Sequence, residues 1–272
     1  MCCFSGNVDV SNTRIFARFL GKQTQALVYQ MKYQTKDQVA MVLPIPTPSG
    51  TKEDALKFIS LEKYKRFFVD LNSGFPQPKP TGRPMTSYSL GTAKGALNVE
   101  EVGDFIASFV PSVADFSRLD ERFRLPAKAW EQLPKQKTYG FAVFQLKAKV
   151  AEAQPAPDPR DILSGKTVPA GQGAATETHP MAFTFPTAAN AELFFPTVHI
   201  HDGEVHAEAD FDHVLYLQPR EMEEAVPRQW EESTQPCGMF ANEKEAQGLL
   251  DGSLHLYRRK LIGKLKNVDT FV

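Results

Sequence analysis

The sequence predicts an α+β fold dominated by antiparallel sheet. Three observations carry that prediction. Several stretches alternate apolar and polar residues with period two, as half-buried strands do. Fewer and shorter stretches repeat with the spacing of a helix. Turn residues punctuate the chain at short intervals, which favours strands that pair with their sequence neighbours.

The elements follow in order. Residues 14–20 (RIFARFL), the Gly21-Lys22 turn and residues 24–34 (TQALVYQMKYQ) read as a pair of strands. In the second strand Leu27, Tyr29, Met31 and Tyr33 alternate with Val28, Gln30, Lys32 and Gln34, so one face is more apolar. Residues 39–43 follow a polar break and complete an expected three-stranded meander. The segment Pro44-Ile45-Pro46-Thr47-Pro48 is expected to end it, because proline has no N–H for a ladder. Ser60 can cap a helix over 61–71, where Leu61, Tyr64, Phe67, Phe68 and Leu71 share one face. The proline-rich stretch 76–84 is a loop. A strand is expected at 104–110, short helices at 112–122 and 126–133, the latter with Pro126 in its first turn, and a buried strand at 139–146 (YGFAVFQL).

Residues 151–178 are rich in Ala, Pro, Gly and Thr and read as a long exposed loop. The chain is expected to form one compact domain, 1–272, in which this loop can separate two β-rich subdomains. Strands resume at 181–187, 192–201, 204–209 and 213–218. A short helix near 243–250 precedes a last strand at 253–262.

Composition narrows the function. The 272 residues carry 31 basic and 32 acidic side chains, a formal net charge of -1. That balance gives no general attraction to nucleic acid or an anionic membrane. A hydrophobic fraction of 42% excludes a mostly disordered chain. No apolar run approaches the roughly 18–20 residues that cross a bilayer. The opening MCCFSGNVDVSNTRIFARFL lacks the pattern of a secretory signal, so the expected compartment is the cytoplasm, where the three cysteines stay reduced.

Four of six histidines fall in the run FFPTVHIHDGEVHAEADFDHVLYLQ. Asp202-Gly203 is a strong hairpin turn signal. A hairpin about it sets His201 opposite Glu204 and His199 opposite His206, all on one face, with Val198, Ile200, Val205 and Ala207 on the other. Opposed Cβ atoms lie roughly 4.5–5.5 Å apart in such a ladder. Three imidazoles at that spacing can converge on copper or zinc, leaving one position open for chemistry. His199, His201 and His206 are therefore the expected metal ligands. Glu204 is a further ligand or a general base. His213, on the next strand, reads as structural.

Cys2 and Cys3 admit three readings. With Met1 removed, the α-amine of Cys2, with a reference pKa of about 7.7–8.0, can accept the thiol proton. That is the chemistry of N-terminal-nucleophile amide hydrolases. Alternatively, Cys2 joins the histidines as a metal ligand, with Cys3 as a nearby redox group. Or both are small apolar residues in a docked strand. Cys237 reads as structural. The basic stretch Arg258, Arg259, Lys260, Lys264, Lys266 reads as a solvated strand face or an anion contact. No Walker loop, dinucleotide fingerprint or serine-hydrolase elbow occurs.

The segments Cys2-Cys3-Phe4, Arg14-Ile15-Phe16-Ala17, Val28-Tyr29-Gln30-Met31-Lys32-Tyr33 and Val39-Ala40-Met41-Val42-Leu43-Pro44-Ile45-Pro46 resemble the bacterial family called domain of unknown function 2330. The resemblance covers about the first 75 residues and implies that the cysteine start belongs to the domain. It implies no chemistry. The leading expectation is a copper- or zinc-dependent oxidoreductase acting on a small molecule or peptide, with Cys2, Cys3 and Glu204 as catalytic groups. The alternatives are an amide hydrolase using Cys2 and a metal-binding protein without catalysis.

Overall fold

In a computed structural model of the chain, residues 2–35, 38–76, 100–102, 105–125, 136–146, 176–200, 204–221 and 225–272 are described. The strands are β1 (Cys2–Phe4), β2 (Asp9–Phe19), β3 (Thr24–Gln34), β4 (Val39–Ile45), β5 (Lys57–Ser60), β6 (Glu100–Val102), β7 (Phe105–Val110) and β8 (Gly140–Leu146). They continue as β9 (Thr176–Glu177), β10 (Met181–Pro186), β11 (Phe194–Phe195), β12 (His199–Ile200), β13 (Glu208–Gln218), β14 (Glu231–Glu232), β15 (Tyr257–Lys266) and β16 (Thr270–Phe271). The α-helix α1 spans Phe67–Ser73.

The α+β expectation is corrected: this is a β-rich fold, 44% strand against 12% helix among the described residues. The physical reason is local. The helix expected over 61–71 is a 3-10 turn at Glu62–Tyr64 followed by the seven-residue α1. The region 112–122 forms 3-10 turns at Val113–Arg118 and Glu121–Phe123, and 243–250 forms turns only. Helices this short are not stable alone, and here apolar residues at helical spacing act as lids on sheets. The expected helix at 126–133, most of the loop at 151–178 and the turn at 201–203 lie outside the described residues.

Two sheets form the body. One runs β12-β1-β4-β8-β7-β6. The other runs β14-β15-β13-β2-β3-β10-β5, with β9 added on β3. The expected meander is therefore split. β2 and β3 pair across the Gly21 turn, but β4 leaves for the other sheet, between β1 and β8. Pro44 does not end β4. It pairs with Phe141 of β8, while β1 flanks β4 only at Met41 and Val42, so no second ladder needs its missing N–H.

Three buried clusters explain the division. Phe4, Met41, Leu43, Phe105 and Phe144 of the smaller sheet meet Ile15, Leu27, Tyr29, Phe183 and Leu215 of the larger one. The other face of the larger sheet, with Phe16, Val28 and Tyr216, is covered by Phe67, Phe68 and Leu71 of α1 and by Cys237, Leu249 and Leu256. The other face of the smaller sheet, with Cys3, Val42, Phe141 and Val143, is covered by Phe116, Phe123 and Leu125. Both sheets thus have both faces covered over their central strands. That is why β4 reads as an unbroken apolar run, every residue of it buried, although its neighbours are antiparallel.

Buried polar side chains tie these layers. Gln25 donates through Nε2 to the Phe194 carbonyl at 2.7 Å and accepts the Phe194 N–H at 3.0 Å. Arg258, 5% exposed, donates to Glu231 at 2.6 and 3.1 Å and to Asn72 at 2.8 Å, with its guanidinium 4.3 Å from the Phe75 ring centre.

Candidate functional site

The histidine region is built differently from the hairpin expected. β12 pairs in parallel with β1, which sets His199 beside Cys2 and Ile200 beside Cys3. Residues 204–207 form no strand, and β13 begins only at Glu208. Asn267 clamps the gap. Its Oδ1 accepts the His199 N–H at 2.7 Å, and its Nδ2 donates to the carbonyls of His199 at 2.9 Å and His206 at 3.0 Å. Asp269 accepts the backbone N–H groups of Thr197 and Val198 at 3.0 and 3.1 Å. Side chains from the C-terminal segment thus do the work of a ladder for this short strand.

His199 is hydrogen-bonded to His213. The two Nε2 atoms are 3.0 Å apart, and the rings stack with 4.5 Å between centres and 25° between planes. The Phe211 ring lies 4.5 Å from His199 and 5.2 Å from His213. Alternation along β13 explains this. Phe211, His213 and Leu215 are buried, while Asp210, Asp212 and Val214 are less so. Sequence reasoning set His213 aside as structural. The signal that could have found it is its interior phase beside Phe211 and Leu215.

His213 is 1% exposed. Burial pushes its pKa below the ordinary imidazole value, against the pull of the Asp212 carboxylate. Its Nδ1 has no hydrogen-bond partner among the described residues, and Asp212 Oδ1 stands 3.6 Å away, too far for one. Burial raises the Asp212 carboxyl, but the His213 imidazole and the Asn12 amide outweigh it and hold it below its usual range. The Asn12 N–H donates to Asp212 Oδ2 from a bulge in β2, where Asn12 has φ 55°. Asparagine tolerates that left-handed conformation better than most residues.

His206 and Glu204 are exposed. His206 and His199 both line a cleft of about 780 Å³ with Asp9, Glu208, Phe211 and Asp212. Cys3 is 0% exposed, packed in the cluster with Val42, Phe141 and Ile200. Cys237 is buried, and burial pushes its thiol up to about 12, so it is not a nucleophile at neutral pH. His201 lies outside the described residues. Among the described residues, no three His, Cys, Asp or Glu side chains converge as a metal group. No described helix is long and apolar enough to cross a membrane. The basic stretch divides: Arg258 is buried, whereas Lys260, Lys264 and Lys266 are exposed. Lys264 and Lys266 stand across from Asp210 and Glu208 in the ladder, and Lys264 pairs with Glu208 at 3.3 Å.

Fold and site together define a β-sandwich with covered outer faces, in which an N-terminal strand sits inside a sheet and an imidazole pair sits at its margin. The crystal structure of baculovirus P35 is similar to this chain, at TM-score 0.50 and 14% identity over 100% of this chain and 98% of that one. The caspase-8/P35 complex matches at TM-score 0.44 and 12% identity, over 96% and 94%. A mutated baculovirus P35 after caspase cleavage matches at TM-score 0.43 and 13% identity, over 97% of each chain. No family model matches the chain, and no curated protein does.

Proposed function

We propose that this chain is a protein-binding molecule directed at a cysteine protease of the caspase type. One observation carries the reading: the likeness to P35 runs the full length of both chains, including the strand that holds Cys2. P35 is a protein found in complex with caspase-8. The buried state of Cys3 and Cys237 fits a binding protein better than a thiol enzyme built on either of them.

The test is direct. The purified chain is incubated with active caspase-8 and with caspase-type proteases that cut after basic residues. Residual peptidase activity is read, and the mixture is run on a sizing column. The expected result is stoichiometric loss of activity with co-elution for at least one protease. Full activity and separate elution across the panel would sink the reading.

A copper- or zinc-dependent enzyme, acting on a small molecule or peptide, is the second reading. It is favoured by the pair of imidazoles at His199 and His213. Turnover by the metal-loaded chain that disappears in His199→Ala would support it.

A further inference from the structure

We propose that His199 and His213 form a two-imidazole site for a late first-row divalent ion of the zinc and copper class. The inference concerns binding alone and depends on neither functional reading above. It differs from the ligand set expected from sequence, because it uses His213 in place of His201, His206 and Cys2.

Geometry is the first support. Metal–imidazole bonds are about 2.0–2.1 Å long, so two cis ligands stand about 2.9 Å apart at a right angle and about 3.4 Å apart at the tetrahedral angle. The two Nε2 atoms are 3.0 Å apart, inside that range; they share a hydrogen bond whose proton must shift to Nδ1 of its own ring before both nitrogens can ligate. Imidazole nitrogen is a preferred ligand of zinc, copper and nickel.

The second support is the surrounding shell. When both Nε2 atoms bind a cation, both Nδ1 atoms must carry hydrogen. The proton on buried His213 Nδ1 then lies near the Asp212 carboxylate, 3.6 Å away, close enough for charge attraction though too long for a hydrogen bond. Asp212 is itself oriented by the Asn12 amide. A nearby negative charge favours the ring that carries its proton on Nδ1 and binds a cation through Nε2. The backbone of His199 is pinned by Asn267 at 2.7 and 2.9 Å, and Phe211 packs against both rings.

Access and charge are the third. His199 lines the cleft, so the open coordination positions face a space that admits water. Asp9, Glu208, Asp210 and Asp212 also line it, and no lysine or arginine does among the described residues. Lys264 neutralises Glu208 from outside. The remaining carboxylates favour a cation in the cleft, and the N-terminal ammonium, which also lowers the His213 pKa, opposes them in part.

The test uses zinc(II) added to the full chain labelled with 15N-histidine. Binding is measured by calorimetry, and imidazole nitrogen shifts report which rings coordinate. One equivalent should bind, with two Nε2 resonances moving together. His199→Ala should weaken binding about 100-fold or more while near-ultraviolet circular dichroism stays native, since His199 is only half-buried. Asp212→Asn should weaken it about 10-fold, as loss of an outer-shell carboxylate does. His206→Ala and Cys2→Ser should keep it. Absence of zinc binding overturns the proposal. So does binding that survives His199→Ala, or that disappears only with His206→Ala or Cys2→Ser.

Discussion

Two polar clusters are buried along β13, three residues apart, and they are finished in opposite ways. At Tyr216, which pairs with Arg258 across the ladder, the network is saturated. The Arg258 guanidinium donates to Glu231 and Asn72 and lies over Phe75, and the Tyr216 hydroxyl donates to the same Asn72 oxygen at 3.2 Å. At His213 the network is incomplete. Among the described residues Nδ1 has no hydrogen-bond partner, and neither has the buried Thr13 hydroxyl on neighbouring β2. A saturated cluster holds a fold together, since removing one member strands the others. An incomplete one contributes little to stability.

That contrast can be broken by measurement. The largest effect belongs to Arg258→Ala, which removes a buried charge with three hydrogen bonds and a ring contact. A loss of about 3–4 kcal/mol in urea unfolding is expected. A loss below about 1 kcal/mol would mean that the cluster is no staple. Gln25→Ala comes next. It leaves both polar groups of Phe194 unpaired, and about 2–3 kcal/mol should disappear.

The His213 cluster should show in the pH dependence. Its folded pKa lies below its unfolded value, so between the two the unfolded chain binds more protons. Stability is then full above the unfolded value, about 6.5, and falls as pH drops toward the folded one, by at most about 1.4 kcal/mol per pH unit. Urea midpoints from pH 7.5 to 5 should fall more steeply for the native sequence than for His213→Leu. Equal slopes would remove His213 from the account. At pH 7.5, His213→Leu itself should change stability by no more than about 1 kcal/mol, because His199 can turn to water. Lys264→Ala, at an exposed pair, should cost about 0.5 kcal/mol or less in the same assay.

The strands were mostly legible. β3, β7, β8 and β10 fall within about one residue of their expected positions, because period-two alternation and turn residues are local properties, and β2 begins five residues earlier than expected. Helices were over-read. Phe67, Phe68 and Leu71 do lie on one face of α1, but Leu249 and Leu250 cover the same sheet from turns. Apolar spacing reports which residues are buried and does not by itself distinguish a helix from a folded-back lid. The hairpin reading failed for a similar reason. Alternation across 198–207 is compatible with a ladder, but the parallel partner of His199 comes from β1, nearly two hundred residues earlier.

By itself, the amino-acid sequence determined that the chain is globular and strand-rich, where most strands lie, and that histidines crowd into one short region. These follow from composition and from side-chain periodicity, which each segment carries alone. Only the tertiary structure decided that β4 leaves the meander for another sheet, that Cys3 is core, and that His199 meets His213. Those outcomes depend on which apolar faces cover one another, and burial of a face is a property of two segments together.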